Sequence, residues 1–266
     1  MNIIEFIGTN DSEKPLDRIV TDGGFCAIFR TIACIGDSLS SGEFESVNED
    51  GSISYHDVFE YSWGQFIARS CGSKVYNFSR GGMTAKEYVE SFADANDLWS
   101  KEKLAQAYII ALGVNDISME RAGKIEFGAV SDADFSDYHN NAKTFAGYYA
   151  QIISHIKELQ PRAKIFLVTP LRHDDNLNEK RETINAILRG FTEIFDRTYL
   201  IDLYTFAPIH DDAFSAKFRL GHLTPAGYLV CARMIESYID YIIRTRPNEF
   251  KQVGFIGTNF YYNNED

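Results

Sequence analysis

The sequence predicts an α/β protein, a three-layer α/β/α domain on a five-stranded parallel sheet with short extensions at both ends. Two observations carry this. Short, continuous apolar runs recur along the chain, as strands buried on both faces do. Stretches with helical spacing separate them, and that alternation builds a parallel sheet with helices on both sides.

The elements follow in order. Residues 3–7 look strand-like, and the turn cluster Asn10-Asp-Ser-Glu-Lys-Pro15 comes next. A second apolar run covers 25–29. The first sheet strand is 31–35, which ends in Gly36. A helix over 63–71 leads to a strand at 74–78. A helix over 84–96 leads to the buried strand 107–112. The polar stretch 118–138 reads as a loop or insertion. It follows a strand of the expected site, and Glu126, Asp132, Asp134 and Asp137 make its tip acidic; such a loop would shape a pocket suited to a sugar or cationic group. Phe145, Tyr148, Tyr149, Ile152, Ile153, Ile156 and Leu159 mark one face of a helix that ends before Pro161. Strand 164–170, helix 179–195 and strand 198–203 follow. Pro225 suits the first turn of the last helix, 225–243. Residues 253–259 (VGFIGTN) echo 5–10 (EFIGTN), and the two terminal segments are expected to pair as strands. With no interdomain linker evident, residues 1–266 read as a single domain with a core of about 31–244 and extensions 1–30 and 245–266.

Composition bounds the function. There are 26 Lys+Arg against 38 Asp+Glu, a formal charge of −12. That balance argues against nucleic acid, whose phosphates need a basic face, and against docking on anionic membranes. No apolar run is long enough to span a bilayer, and the start lacks the basic region of a secretory signal. Cys26, Cys34, Cys71 and Cys231 form no CxxC pair. They read as reduced thiols, mostly core, in a cytoplasmic protein. Neither they nor the scattered histidines have the spacing of a metal site. No cofactor is expected. The oligomeric state is not legible.

Right-handed crossovers place every strand's carboxyl end on one edge, where open α/β sheets bind ligands. The residues after the strands are therefore the ones that matter. After the first comes Gly36-Asp37-Ser38-Leu39-Ser40, after the second Arg80-Gly81-Gly82-Met83, after the third Gly113-Val114-Asn115-Asp116, and before the last helix Gly221-His222-Leu223. A serine at a strand-to-helix turn can expose its hydroxyl. Paired glycines let backbone N–H groups approach a ligand. An asparagine offers an N–H donor, and a histidine can act as a base. Each also has a blander reading: Ser38 as a helix N-cap, Asp37 as an orienting carboxylate, and the Gly-Gly and Asn-Asp pairs as turn chemistry.

This order of motifs resembles the SGNH/GDSL hydrolase superfamily of esterases and lipases, over about residues 31–244. The resemblance implies a flavodoxin-like three-layer fold and a serine esterase acting on small acyl esters, possibly O-acetylated carbohydrates. It also implies Ser38 as nucleophile, His222 as general base, and Gly82 and Asn115 as oxyanion donors, with Gly81 in reserve for Gly82. One position departs from the family pattern. Where an Asp is usual three residues before the histidine, this chain has Arg219. Three readings stay open: a backbone carbonyl near 219 accepts from the ring, a substitute acid such as Asp211 or Asp212 does so, or the site is degraded and only binds. Arg219 itself is expected to point away from the imidazole. A flavodoxin-like anion or FMN binder is the alternative from another class. It would need neither Asn115 nor His222.

Overall fold

The computed structural model describes residues 3–8, 10 and 12–254. Its central sheet is made of β1 (Thr31–Gly36), β4 (Lys74–Ser79), β5 (Ala107–Ala111), β6 (Lys164–Val168) and β7 (Thr198–Ile201), all parallel. The spatial order is β4-β1-β5-β6-β7. Counted among these five strands alone that is 2-1-3-4-5, the flavodoxin-like order. The fold is the three-layer α/β/α arrangement expected.

Alternation along each strand divides the core in two. Ala33 and Ile35 of β1 face a cluster built with Tyr149, Ile153, Ile184 and Leu188 from the helices Phe145–Leu159 and Asn178–Ile194. Ile32 and Cys34 face the other way, toward Ile67 of Trp63–Cys71 and Tyr228, Ile235 and Ile239 of Pro225–Thr245. Strands covered on both faces must be apolar throughout, which is why they read as uninterrupted runs. Three of the four cysteines, Cys26, Cys34 and Cys231, are buried, and all four are free thiols.

The register positions the site. Gly36 lies opposite Ser79 on one side and Ala111 on the other. The loops after β4, β1 and β5 therefore start level, side by side, at one edge of the sheet. The strand order reverses between β1 and β5, where such sheets open a crevice.

Several expectations need correction. Residues Ile3–Ile7 form a short helix rather than a strand. Terminal strand pairing thus fails at its first half, and its second half, 255–259, lies outside the described residues. Gly24–Ile28 is a 3-10 turn. The predicted helix over 84–96 contains a π-helical turn at Tyr88–Phe92. The stretch 118–138 begins inside a helix, Val114–Arg121, and its Ile125, Phe127, Val130 and Ala133 pack on the core cluster under helix Phe145–Leu159.

Two small ladders lie outside the main sheet. β2 (Glu43–Val47) and β3 (Ile53–Asp57) form an antiparallel hairpin directly after the Ser38 turn. β8 (Arg219–Leu220) and β9 (His222–Leu223) form a second, and β2 lies against β9.

The N-terminal extension is fastened to the last helix. Arg244, almost fully buried, pairs with Glu13 at 2.6 Å and with Asp240 at 2.7 Å. The Val20 N–H donates to Ser237 Oγ at 3.0 Å and the Phe25 N–H to Asp240 Oδ1 at 2.8 Å. Among the described residues, no helix is long and apolar enough to cross a membrane.

Candidate active site

A cavity of about 230 Å³ opens at the carboxyl edge of the sheet. Ser38, Asn115 and His222 all line it. Three widely separated segments thus meet where the sequence places them. Gly82 is not among the lining residues; it is exposed, on the loop after β4.

Ser38 opens the short helix Ser38–Ser41, and Asp37 is the residue that caps it. The Asp37 carboxylate accepts from the Leu39 N–H at 3.1 Å. Ser38 is therefore not the cap. As the first helical residue it has an N–H with no intrahelical acceptor. Burial pushes the Asp37 carboxyl up to about 6, although the Leu39 N–H and His222 oppose the rise.

The loop after β4 is tied to the loop after β5. The Asn115 side chain donates from Nδ2 to Met83 O at 3.1 Å. Fully buried Asp116 accepts from the Ala85 N–H at 3.1 and 3.3 Å. Burial raises the Asp116 carboxyl to about 7, with the Ala85 N–H as a partial offset. Gly81 and Gly82 differ in what their backbone is free to do. The Gly81 N–H donates to Asp57 Oδ2 at 3.1 Å, and a Cβ at 81 would collide with the Glu43 carboxylate. Gly82 has φ near +73° and open space around its Cβ position.

His222 lies between two glutamates. Its Nδ1 is 2.7 Å from Glu45 Oε1, and its Nε2 is 3.0 Å from Glu43 Oε1. Both acids sit on β2 at i and i+2, so their side chains leave the same face. The register sets Tyr55 opposite Glu45 and Asp57 opposite Glu43. The Tyr55 ring meets the imidazole edge to face at 6.0 Å. Burial raises the Glu43 carboxyl, and His222 works against that rise. Both ring nitrogens face carboxylates, so Nε2 is not hydrogen-bonded to Ser38.

The first reading is corrected, the second holds with an acid other than the two named, and the third, a site that only binds, is not decided by the ring's partner. Nδ1 faces Glu45, not a backbone carbonyl near 219. Asp211 caps the helix Asp212–Phe218 by accepting from the Phe214 N–H at 2.8 Å, and Asp212 is exposed in its first turn. An acid is present, so loss of the aspartate has not left the ring unpaired. Arg219 folds onto the Gly221 carbonyl through Nε and a terminal nitrogen, at 3.3 and 3.2 Å, and lines the cavity. The insertion 118–138 contributes no lining residue, so the pocket expected of it is built by other segments.

Sequence reasoning missed Glu43 and Glu45. The available signal was the turn cluster Asn48-Glu-Asp-Gly51 between two short runs, which marks a hairpin. His173 and His210 also line the cavity. Burial pushes them down to about 4 and about 3, and nearby cations add to this.

The fold is of the α/β/α class, with its cavity at the strand-order reversal. The model of the GDSL-like lipase/acylhydrolase family matches residues 34–230, and the chain belongs to that family. No curated protein matches the chain in sequence. Among solved structures, a Lactobacillus plantarum protein has TM-score 0.59 at 18% identity, over 80% of this chain and 97% of that one. A family two carbohydrate esterase from Clostridium thermocellum, in complex with cellohexaose, has TM-score 0.55 at 17% identity, over 83% of this chain. This chain spans 65% of that enzyme's length. A carbohydrate esterase family 2 enzyme with a carbohydrate binding domain, from Corynascus thermopiles (Myceliophthora fergusii), has TM-score 0.50 at 18% identity, over 80% of this chain and 66% of that one. These likenesses are likenesses of fold.

Proposed function

We propose that the chain is a serine esterase that hydrolyses small acyl esters, O-acetylated carbohydrates among them, through an acyl-enzyme on Ser38. The observation that supports this most is the meeting of Ser38, Asn115 and His222 in the lining of one cavity.

In this reading the Ser38 hydroxyl attacks the ester carbonyl carbon while His222 takes its proton. The carbonyl oxygen becomes an oxyanion. The Ser38 N–H and the second N–H of Asn115 Nδ2 donate to it, and the Gly82 N–H joins them once the loop after β4 turns toward the cavity, which Gly82 does not line here. The alcohol leaves with the proton from His222, and water then releases the acid by the same steps in reverse order. Reaching Ser38 requires that Nε2 exchange its present neighbour, Glu43, for the hydroxyl. Gly82 is preferred to Gly81 because the Gly81 N–H is already bonded to Asp57.

Size and lining favour short acyl groups. At about 230 Å³ the cavity is below the range of roughly 300–1,000 Å³ common for drug-sized ligands. The proposal extends to carbohydrates on the fold likeness to carbohydrate esterases, and free alcohol or sugar parts would lie toward the open rim. A panel of p-nitrophenyl acetate, butyrate and octanoate, run beside acetylated oligosaccharides, tests this. The acetyl compounds should turn over fastest, and Ser38→Ala should abolish turnover. Equal rates on octanoate, or an active Ser38→Ala variant, would defeat the reading.

A further inference from the structure

We propose that Glu45 is the positioning carboxylate of this site: from the β2–β3 hairpin it holds the His222 ring, in place of the acid missing at Arg219. The inference rests on the Ser38–His222 reading above and adds the residue that orients the base.

The geometry is direct. Glu45 Oε1 and His222 Nδ1 are 2.7 Å apart, with both side chains about one-fifth exposed. A carboxylate on Nδ1 fixes the tautomer that leaves Nε2 able to accept a proton, and it stabilises the imidazolium that forms. The chain makes room for this contact. Gly221 has φ near +72°, and a Cβ there would run into the Glu45 carboxylate. The residue before the base is thus one that lets an acid approach from outside its own loop.

The hairpin is anchored to the catalytic turns. The Tyr228 hydroxyl donates to Glu43 O at 2.7 Å and lies 3.4 Å from Ser38 O. The Val58 N–H donates to Gly42 O at 2.9 Å. Asp57 joins Ser41 to the Gly81 N–H. Motion of Glu45 relative to Ser38 is therefore restrained by bonds at both strands of the hairpin.

Glu43 has a different part. It lies 3.0 Å from Nε2, the nitrogen that the serine needs, and as a carboxylate it pairs with that nitrogen only when the ring is protonated. The charged and titratable groups around the ring are Glu43 and Glu45 on β2, Tyr55 and Asp57 on β3, Asp37 at the helix cap, and Arg219 on β8. Glu45 is the one that faces Nδ1.

The test measures esterase activity of the full chain with p-nitrophenyl acetate across pH, after thermal melts confirm folding. Glu45→Gln should lower kcat by about 10²–10⁴ and leave KM within about threefold. The low-pH limb of kcat should move to lower pH, because removing an anion makes the imidazole a weaker base. Glu45→Asp should recover part of the rate. Adding Arg219→Asp to Glu45→Gln, which restores an acid three residues before the histidine, should recover at least tenfold. A purely structural role would leave the pH limb in place and gain nothing from Arg219→Asp; that result overturns the proposal. So does a Glu45→Gln variant with kcat within twofold of wild type while Ser38→Ala is inactive. So does a loss seen with Glu43→Gln and absent from Glu45→Gln. An active Ser38→Ala variant would instead remove the underlying catalytic reading, which separates the two failures.

Discussion

The side-chain amide of Asn115 is held by the Met83 carbonyl, 3.1 Å away, on the neighbouring loop. One of its two N–H bonds is used there, and the other remains for the cavity that Asn115 lines. Asn115→Ala should therefore keep the fold and lose about 10²–10³ in kcat. Steady-state kinetics beside a thermal melt would check this. Near-normal turnover in a folded variant would remove Asn115 from the oxyanion site.

Asp116 links the same loops through the Ala85 N–H. Burial pushes its carboxyl up from the ordinary 3.8 to about 7, so the folded state holds this proton more tightly than the unfolded state does. The contribution is fully present below pH 3.8 and is lost as pH rises through about 7. The stability of wild type relative to Asp116→Asn should thus fall between those limits, by at most about 1.4 kcal/mol per pH unit. Comparing the pair cancels the opposite trend from His173 and His210, whose lowered values favour folding as pH rises. Urea melts of both proteins at pH 4.5 and 7.5 give the answer, and a constant difference would contradict it.

The Glu13–Arg244–Asp240 cluster holds residues far from the cavity. Removing Glu13 takes two charge-assisted hydrogen bonds from Arg244 but leaves it paired with Asp240, a loss of about 1.5–3 kcal/mol. Glu13→Ala should lower the unfolding free energy by that order while leaving kcat unchanged at a temperature where it is folded. A kcat loss in folded protein would show that the N-terminal extension reaches the site.

The parts legible in the sequence were those with a local signature. β1, β5 and β6 are buried on both faces, and that burial is written as runs such as AYIIA and KIFLV. Ser38, Asn115 and His222 stand just after strands or just before a helix, so topology alone brings them to one edge. The hairpin was harder to read. Its strands are short and largely exposed, so no apolar run announces them. The Glu45–His222 contact spans 177 residues, and a single sequence carries no pattern for such a pair. Residues Ile3–Ile7 form a helix where a strand is expected because four apolar residues in a run of five fit either equally well. The insertion 118–138 was placed by its position after β5, yet its apolar side chains draw it onto the core away from the cavity.

The central claim is that Ser38 is the nucleophile. The most direct measurement is intact-mass and peptide analysis after treatment with a small organophosphonate that phosphonylates activated serines. The account predicts one adduct per chain, located on Ser38, formed in step with loss of esterase activity and missing from both Ser38→Ala and His222→Ala. Labelling at another residue, or loss of activity with Ser38 unmodified, would contradict it.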